Sequence, residues 1–225
     1  RPRVAREGLV RHLRDLAVPP RGWQRPARVE GAAAHASAWR TRGPARAGAI
    51  ADAVDLPVAA DLENGFGHSP AQAAETIRLA VAAGLVGGSI EDASGDDAAP
   101  IFDIGRATER VRAAVEAARA LKFAFALTAR AENFLHGRTD LKDTIRRLQA
   151  YQEAGADVLF APGIRTVEDI RAVTSSVDRP VNVIMGLQGV RLSVDELSAL
   201  GVRRISVGSA LARADTRLAC ACPRR

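Results

Sequence analysis

The chain has 225 residues, 47% of them hydrophobic and 26% charged, proportions that exclude a disordered tail, a coiled coil and a collagen-like fibre. No apolar run reaches the ~18 residues needed to span a bilayer, and Arg1-Pro2-Arg3-Val4 lacks the apolar stretch of a signal peptide, so a cytoplasmic protein with no membrane partner is expected. The net charge of +6 is unevenly placed: residues 1–48 hold 11 Arg and 3 acids, whereas residues 49–225 hold 21 basic and 23 acidic residues. The basicity belongs to one segment, and the body is not expected to bind nucleic acid.

Residues 1–48 form a first unit, rich in Arg, Ala, Pro and Gly and without lysine. They show one short helical pattern, Leu9–Leu16, and no β-branched run. Such a composition fits a disordered basic arm, or a GC-rich gene read in a shifted frame. As a nucleic-acid arm it ranks last, because only Trp23 and Trp39 accompany the arginines.

The second unit, residues 49–225, alternates between two textures. Strands are predicted at Leu56–Leu62, Val86–Ile90, Phe123–Thr128, Asp157–Ala161, Pro180–Met185 and Arg204–Val207, each nearly all apolar as for strands buried on both faces. Helices are predicted between them. Pro70–Ala83 opens after Ser69, a suitable N-cap, with Pro at the first helical position. Ile104–Leu121 sets Val111, Val115 and Ala118 on one side, with Arg110, Arg112, Glu116 and Arg119 largely on the other. Leu141–Ala154, Val167–Val177 and Val194–Leu200 repeat the pattern. Gly84, Gly155 and Gly201 each close a helix where a left-handed C-cap belongs.

Repeated βα units with short joints mean a parallel sheet, as a doubly wound layer or a (β/α)8 barrel. The strand ends choose. Asp61-Leu62-Glu63, Glu91-Asp92, Arg130-Ala131-Glu132, Pro162-Gly163, Asn182 and Gly208-Ser209 are all chemically or conformationally special. A barrel brings every strand end to one axial mouth, whereas an open sheet binds mainly at one switch point. The expected fold is therefore α/β, of TIM-barrel type, with six legible strands.

Asp61 and Glu63, at i and i+2 in a strand, are expected to leave the same face. With Glu91 on the next strand they offer three oxygen ligands for a hard cation, Mg2+ or Mn2+, directly or through water. The alternative for each is a helix cap or an arginine pair. Arg130 ends an apolar strand, and its planar fork suits a carboxylate or phosphonate; a salt bridge to Glu132 or Glu91 is the other reading. Asn182, between two valines, bonds either substrate or neighbouring strand groups. Gly65 and Gly67 flank Phe66 in a loop that lets backbone approach a ligand. His68 and His136 read as surface histidines. Cys220 and Cys222 lack the partners of a structural zinc site.

The blocks ADLENGFG (60–67), GLVGGSIED (84–92), LTARAENF (127–134), AGADVLFAPG (154–163), RPVNVIMG (179–186) and LGVRRISVGSAL (200–211) together resemble the isocitrate lyase / phosphoenolpyruvate mutase family over residues 49–213. The resemblance implies a (β/α)8 barrel with its eighth helix swapped in a homodimer or homotetramer. It implies bound Mg2+ and a small α-oxo or α-hydroxy carboxylate whose C–C or P–C bond is made or broken beside a pyruvate-type enolate. By the same resemblance Asp61 and Glu63 match the metal-binding acids of the third strand, and Glu91 the acid of the fourth. Arg130 matches the fifth-strand arginine that holds substrate carboxylate and enolate oxygen, and Asn182 falls in the seventh-strand block. Arg130 and Glu91 are the catalytic candidates, and Arg130, Asn182, Gly65 and Gly67 the substrate-binding ones.

Three departures accompany the resemblance. Residues 93–104 lack the Lys-x-Cys-Gly-His loop of the lyase members, which argues against isocitrate or methylisocitrate lyase activity. The family's first two strands are not recognisable in residues 1–48, and ADTRLACACPRR replaces the swapped helix after Ala212. A catalytically impaired barrel is therefore the alternative expectation.

Overall fold

The computed structural model describes residues 43–186, 190–208 and 210. The Leu9–Leu16 pattern, both tryptophans, Ser209 and the two cysteines lie outside the described residues. The chain runs α1 (43–52), β1 (Ala59–Asp61), α2 (Pro70–Ala82), β2 (Gly87–Glu91), α3 (Ile104–Arg119), β3 (Ala126–Arg130), α4 (Leu141–Glu153), β4 (Val158–Phe160), α5 (Val167–Ser175), β5 (Val181–Ile184), α6 (Val194–Ala199) and β6 (Arg204–Ser206). All five strand pairings are parallel, and the order across the sheet is the order along the chain. A doubly wound sheet reverses its order at a switch point. Here every crossover advances the same way, so connections of the usual right hand put the helices on one face, giving an open part of a barrel.

Local chemistry sets the boundaries. Ser69 and Gln72 form a reciprocal capping box before Pro70, and Ser193 with Glu196 does the same for α6. Asp103, Asp140 and Thr166 cap α3, α4 and α5. Gly84, Gly155 and Gly201 adopt φ of 83°, 101° and 85°, as their C-terminal positions require.

Register gives each strand two unlike faces. Ile90, Leu127, Ala129, Leu159, Val181 and Val183 are buried toward the helices, among Ile77, Leu148, Ile170 and Leu197. The partnered rows Asp61–Ser89–Thr128 and Glu91–Arg130–Phe160–Asn182–Arg204 lie on the other face. The strands are thus not apolar on both sides, as expected from sequence; their inner face is polar because it lines the barrel mouth.

Three further expectations change. The third legible strand starts at Ala126 rather than Phe123, which is 45% exposed in the turn before it. Helix α1 crosses the boundary drawn between residues 48 and 49, and its Ala47 joins the core. Arg110, grouped with the charged side of α3, is 1% exposed. No helix among the described residues is long and apolar enough to cross a membrane.

Candidate active site

The parallel register places Glu91 beside Arg130 on adjacent strand ends. Arg130 is the hub. Its Nη1 donates to Asp61 Oδ2 at 2.5 Å, its Nη2 meets Glu91 Oε2 at 3.1 Å and Glu132 Oε1 at 2.8 Å, and its Nε also donates to Glu132 Oε1 at 2.8 Å. The guanidinium lies over the Phe160 ring, 5.5 Å from its centroid, an arrangement that adds cation–π attraction. Arg130, Glu91 and Glu132 are mostly buried, whereas the Asp61 side chain is 56% exposed. The two sequence readings of Arg130 are therefore not exclusive: it is salt-bridged to both Glu91 and Glu132 and stands at the mouth.

Electrostatics follow from that crowding. Burial pushes the Glu91 carboxyl up to about 8; Arg130 opposes the shift, and Glu132, Asp61 and Glu63 add to it. Burial also raises Glu132 against the pull of Arg130. Burial alone would lower Arg130, but the surrounding carboxylates reverse this and hold it above the usual arginine value.

Asp61 and Glu63 do not share a strand face. The strand ends at Asp61, and Glu63 takes φ 48° in the loop that follows, so the period-2 rule stops one residue too early. They are linked instead through the backbone: the Glu63 amide donates to Asp61 Oδ1 at 3.0 Å, and Ser89 Oγ donates to the same oxygen at 3.1 Å. The Glu91 amide in turn donates to the Glu63 carbonyl. Among the described residues, no three Asp, Glu, His or Cys side chains converge on one point, because Arg130 stands between Asp61 and Glu91.

Asn182 is 1% exposed; its amide donates to Ser206 Oγ at 3.1 Å, while Oδ1 has no partner. The space beside Gly65 (φ 70°) is filled by Ala73 and Ile90, and that beside Gly67 by the Gln72 side chain. These glycines let the loop lie on α2. His68 stands edge-on to Phe102, with ring centroids 5.6 Å apart, and His136 is exposed.

Sequence reasoning overlooked the support behind this mouth. Asp92 turns its buried carboxylate to the helical side, accepting from Glu132 N (2.8 Å), Arg147 Nη1 (3.0 Å) and Tyr151 Oη (2.6 Å). Burial and the neighbouring Asp92 charge drive Tyr151 well above its ordinary value. The loop after β2, which lacks the lyase motif, closes through an Ala93–Ile101 antiparallel bridge. Arg110 reaches from α3 to the carbonyls of Asn64 and Gly67, and burial, with Arg106 nearby, lowers it to about 10. The sole sequence-level sign of these supports was the Glu-Asp and Arg-x-Glu spacing at the strand ends.

Known proteins share this architecture. A lyase/mutase candidate from Burkholderia cenocepacia J2315 superposes with a TM-score of 0.78 and 55% identity, over 84% of this chain and 71% of that one. An oxaloacetate decarboxylase 2 of Pseudomonas putida (strain W619) is 29% identical over 165 residues, 72% of this chain and 53% of the relative. A 2-methylisocitrate lyase of Escherichia coli (strain K12) is 32% identical over 144 residues, 59% of this chain and 45% of the relative. The chain spans about half the length of the curated relatives it matches. The phosphoenolpyruvate phosphomutase model matches residues 26–221, beginning inside the basic segment. A match of that extent makes the chain a member of the phosphoenolpyruvate phosphomutase family.

Proposed function

We propose that the chain is a divalent-metal-dependent lyase or mutase that makes or breaks a C–C or P–C bond of a small α-oxo or α-hydroxy carboxylate through a pyruvate-type enolate. The observation that carries this reading is a single guanidinium enclosed by acids at the barrel mouth. Four carboxylates, Asp61, Glu63, Glu91 and Glu132, act on one another there against one arginine. An oxygen-only donor set with surplus negative charge fits a hard cation such as Mg2+ or Mn2+. Asp61, Glu63 and Glu91 would hold it, in part through water, since Arg130 keeps them from meeting at one point. When bound, the ion supplies positive charge that draws electron density from substrate oxygens.

The chain's own residues do the rest. Glu132 takes two of the Arg130 N–H groups and so fixes the fork's plane. The Nη1 edge of Arg130, which now meets Asp61, would take the substrate carboxylate once Asp61 turns to the cation. As the scissile bond breaks, its electron pair becomes the enolate C=C, the carbonyl π pair moves onto the oxo oxygen beside Arg130, and the other fragment leaves without those electrons, as CO2 does from oxaloacetate. The unpartnered Asn182 Oδ1 is suited to accept from a substrate hydroxyl. That residues 93–104 hold no cysteine, lysine or histidine argues against methylisocitrate and supports an oxo-acid such as oxaloacetate as substrate. The working form is a homo-oligomer, to be read by light scattering.

The test is pyruvate or oxalate release from oxaloacetate, phosphonopyruvate and substituted malates in Mg2+, with and without EDTA. Turnover of at least one, abolished by EDTA, is expected. No turnover of any, in protein that binds Mg2+, would favour the impaired-barrel alternative.

A further inference from the structure

Arg110 carries a charge where an apolar side chain would pack at less cost. It is 1% exposed, and among the described residues no carboxylate forms an ion pair with it. Its Nη1 donates to Gly67 O at 2.6 Å, its Nη2 donates to Asn64 O, and its Nε has no partner. Its guanidinium lies 4.6 Å from the centroid of Phe102, which Arg106 also faces. Burying such a charge is among the costlier things a fold can do. Both carbonyls that receive it belong to one loop.

That loop does not favour its own shape. Glu63, Gly65 and Phe66 take φ of 48°, 70° and 50°, and the left-handed region is strained for the two that are not glycine. Thr76 Oγ1 holds the loop at Gly65 O (2.7 Å), and Arg110 holds it on either side of that point. The loop in turn fixes the mouth. The Glu63 amide engages Asp61 Oδ1, which leaves Oδ2 to face Arg130, and the Glu63 carbonyl receives the Glu91 amide.

We propose that Arg110 is a positioning residue for the acidic mouth: by gripping residues 64–67 from α3, it fixes Glu63 and, through the Glu63 amide, orients the Asp61 carboxylate. The binding readout below rests on the reading of that mouth as a cation site; the exchange readout does not.

Arg110→Met keeps most of the bulk but removes the charge and both carbonyl contacts. Its thermal midpoint is expected to change little, because relief of a buried charge opposes the loss of the donor to the Asn64 and Gly67 carbonyls. Its Mn2+ dissociation constant, from electron paramagnetic resonance titration, should rise about tenfold or more. Arg110→Lys, which can still reach one carbonyl, should fall between. Amide hydrogen exchange at Glu63 and Glu91 should quicken in Arg110→Met while β4 and β5 keep their protection. Wild-type Mn2+ affinity in Arg110→Met overturns the proposal, and so does weakened affinity without faster exchange. If the wild type itself binds no Mn2+, the cation reading falls and exchange alone decides: faster at Glu63 and Glu91 supports the proposal, unchanged overturns it. Should Arg110→Met fail to fold, Arg110→Lys is judged by the same criteria.

Discussion

Replacing Asp92 by alanine should be the most damaging single change behind the mouth. The carboxylate is 2% exposed and accepts three hydrogen bonds, from the Glu132 amide, the Arg147 guanidinium and the Tyr151 hydroxyl. The Asp92 and Arg147 side chains are 1% and 8% exposed, so water cannot substitute for the lost partner. Arg147 keeps Asp143 at 2.7 Å, which softens the loss, but the Tyr151 hydroxyl and the Glu132 amide would lose the carboxylate that accepts from them. Breaking a buried pair costs about 3–5 kcal/mol, against a total stability of only about 5–15 kcal/mol. Asp92→Asn keeps the shape and one acceptor, and should cost about 1.5–3 kcal/mol. Urea denaturation followed by far-ultraviolet circular dichroism measures both. A loss under about 1 kcal/mol for Asp92→Ala would show that the network does not hold the strand ends.

Other outcomes follow from the same geometry. Arg130→Lys keeps the charge but loses the fork, and kcat/KM on the active substrate should fall about tenfold or more; wild-type kinetics would make Arg130 purely structural. Because Glu91 titrates at about 8 in the fold against 4.5 ordinarily, the folded protein holds a proton that the unfolded chain releases between those values. That contribution is present below about pH 4.5 and is lost as pH rises through about 8. Metal-free wild type should therefore lose stability relative to Glu91→Gln across that window, and parallel melting curves would contradict the assignment. Gly155→Ala should destabilise more than Gly137→Ala, since both glycines have positive φ but only the first would drive a Cβ to 2.9 Å from Val115; equal losses in thermal denaturation would mean that Val115 moves freely.

Much of this was legible because strand ends in a parallel sheet must converge. Asp61, Glu91 and Arg130 could be placed together from their positions alone, and the helices from Ser69, Pro70 and the closing glycines. What escaped depended on contacts distant in sequence. Periodicity grouped Arg110 with the charged side of α3, and nothing local reveals that the 64–67 loop lies over it. The Asp92 network depends on the register of α4, which brings Arg147 and Tyr151 to β2. Helix α1 was missed because Gly43, Pro44 and Gly48 lower its helix propensity; packing of Ala47, Ile50 and Ala51 against the core prevails. Glu63 was put on a strand face because the strand's end at Asp61 is set by its left-handed φ, which a glutamate does not advertise.

The acids around Arg130, as the proposed cation site, should bind an enolate-like dianion. Titration of Mn2+ into wild type, Asp61→Asn and Glu91→Ala, each with and without oxalate as a planar enolate mimic, tests it directly. Wild type should bind Mn2+, oxalate should tighten this binding, and both substitutions should weaken it clearly. Equal Mn2+ affinity in all three proteins, or no response to oxalate in the wild type, would contradict it.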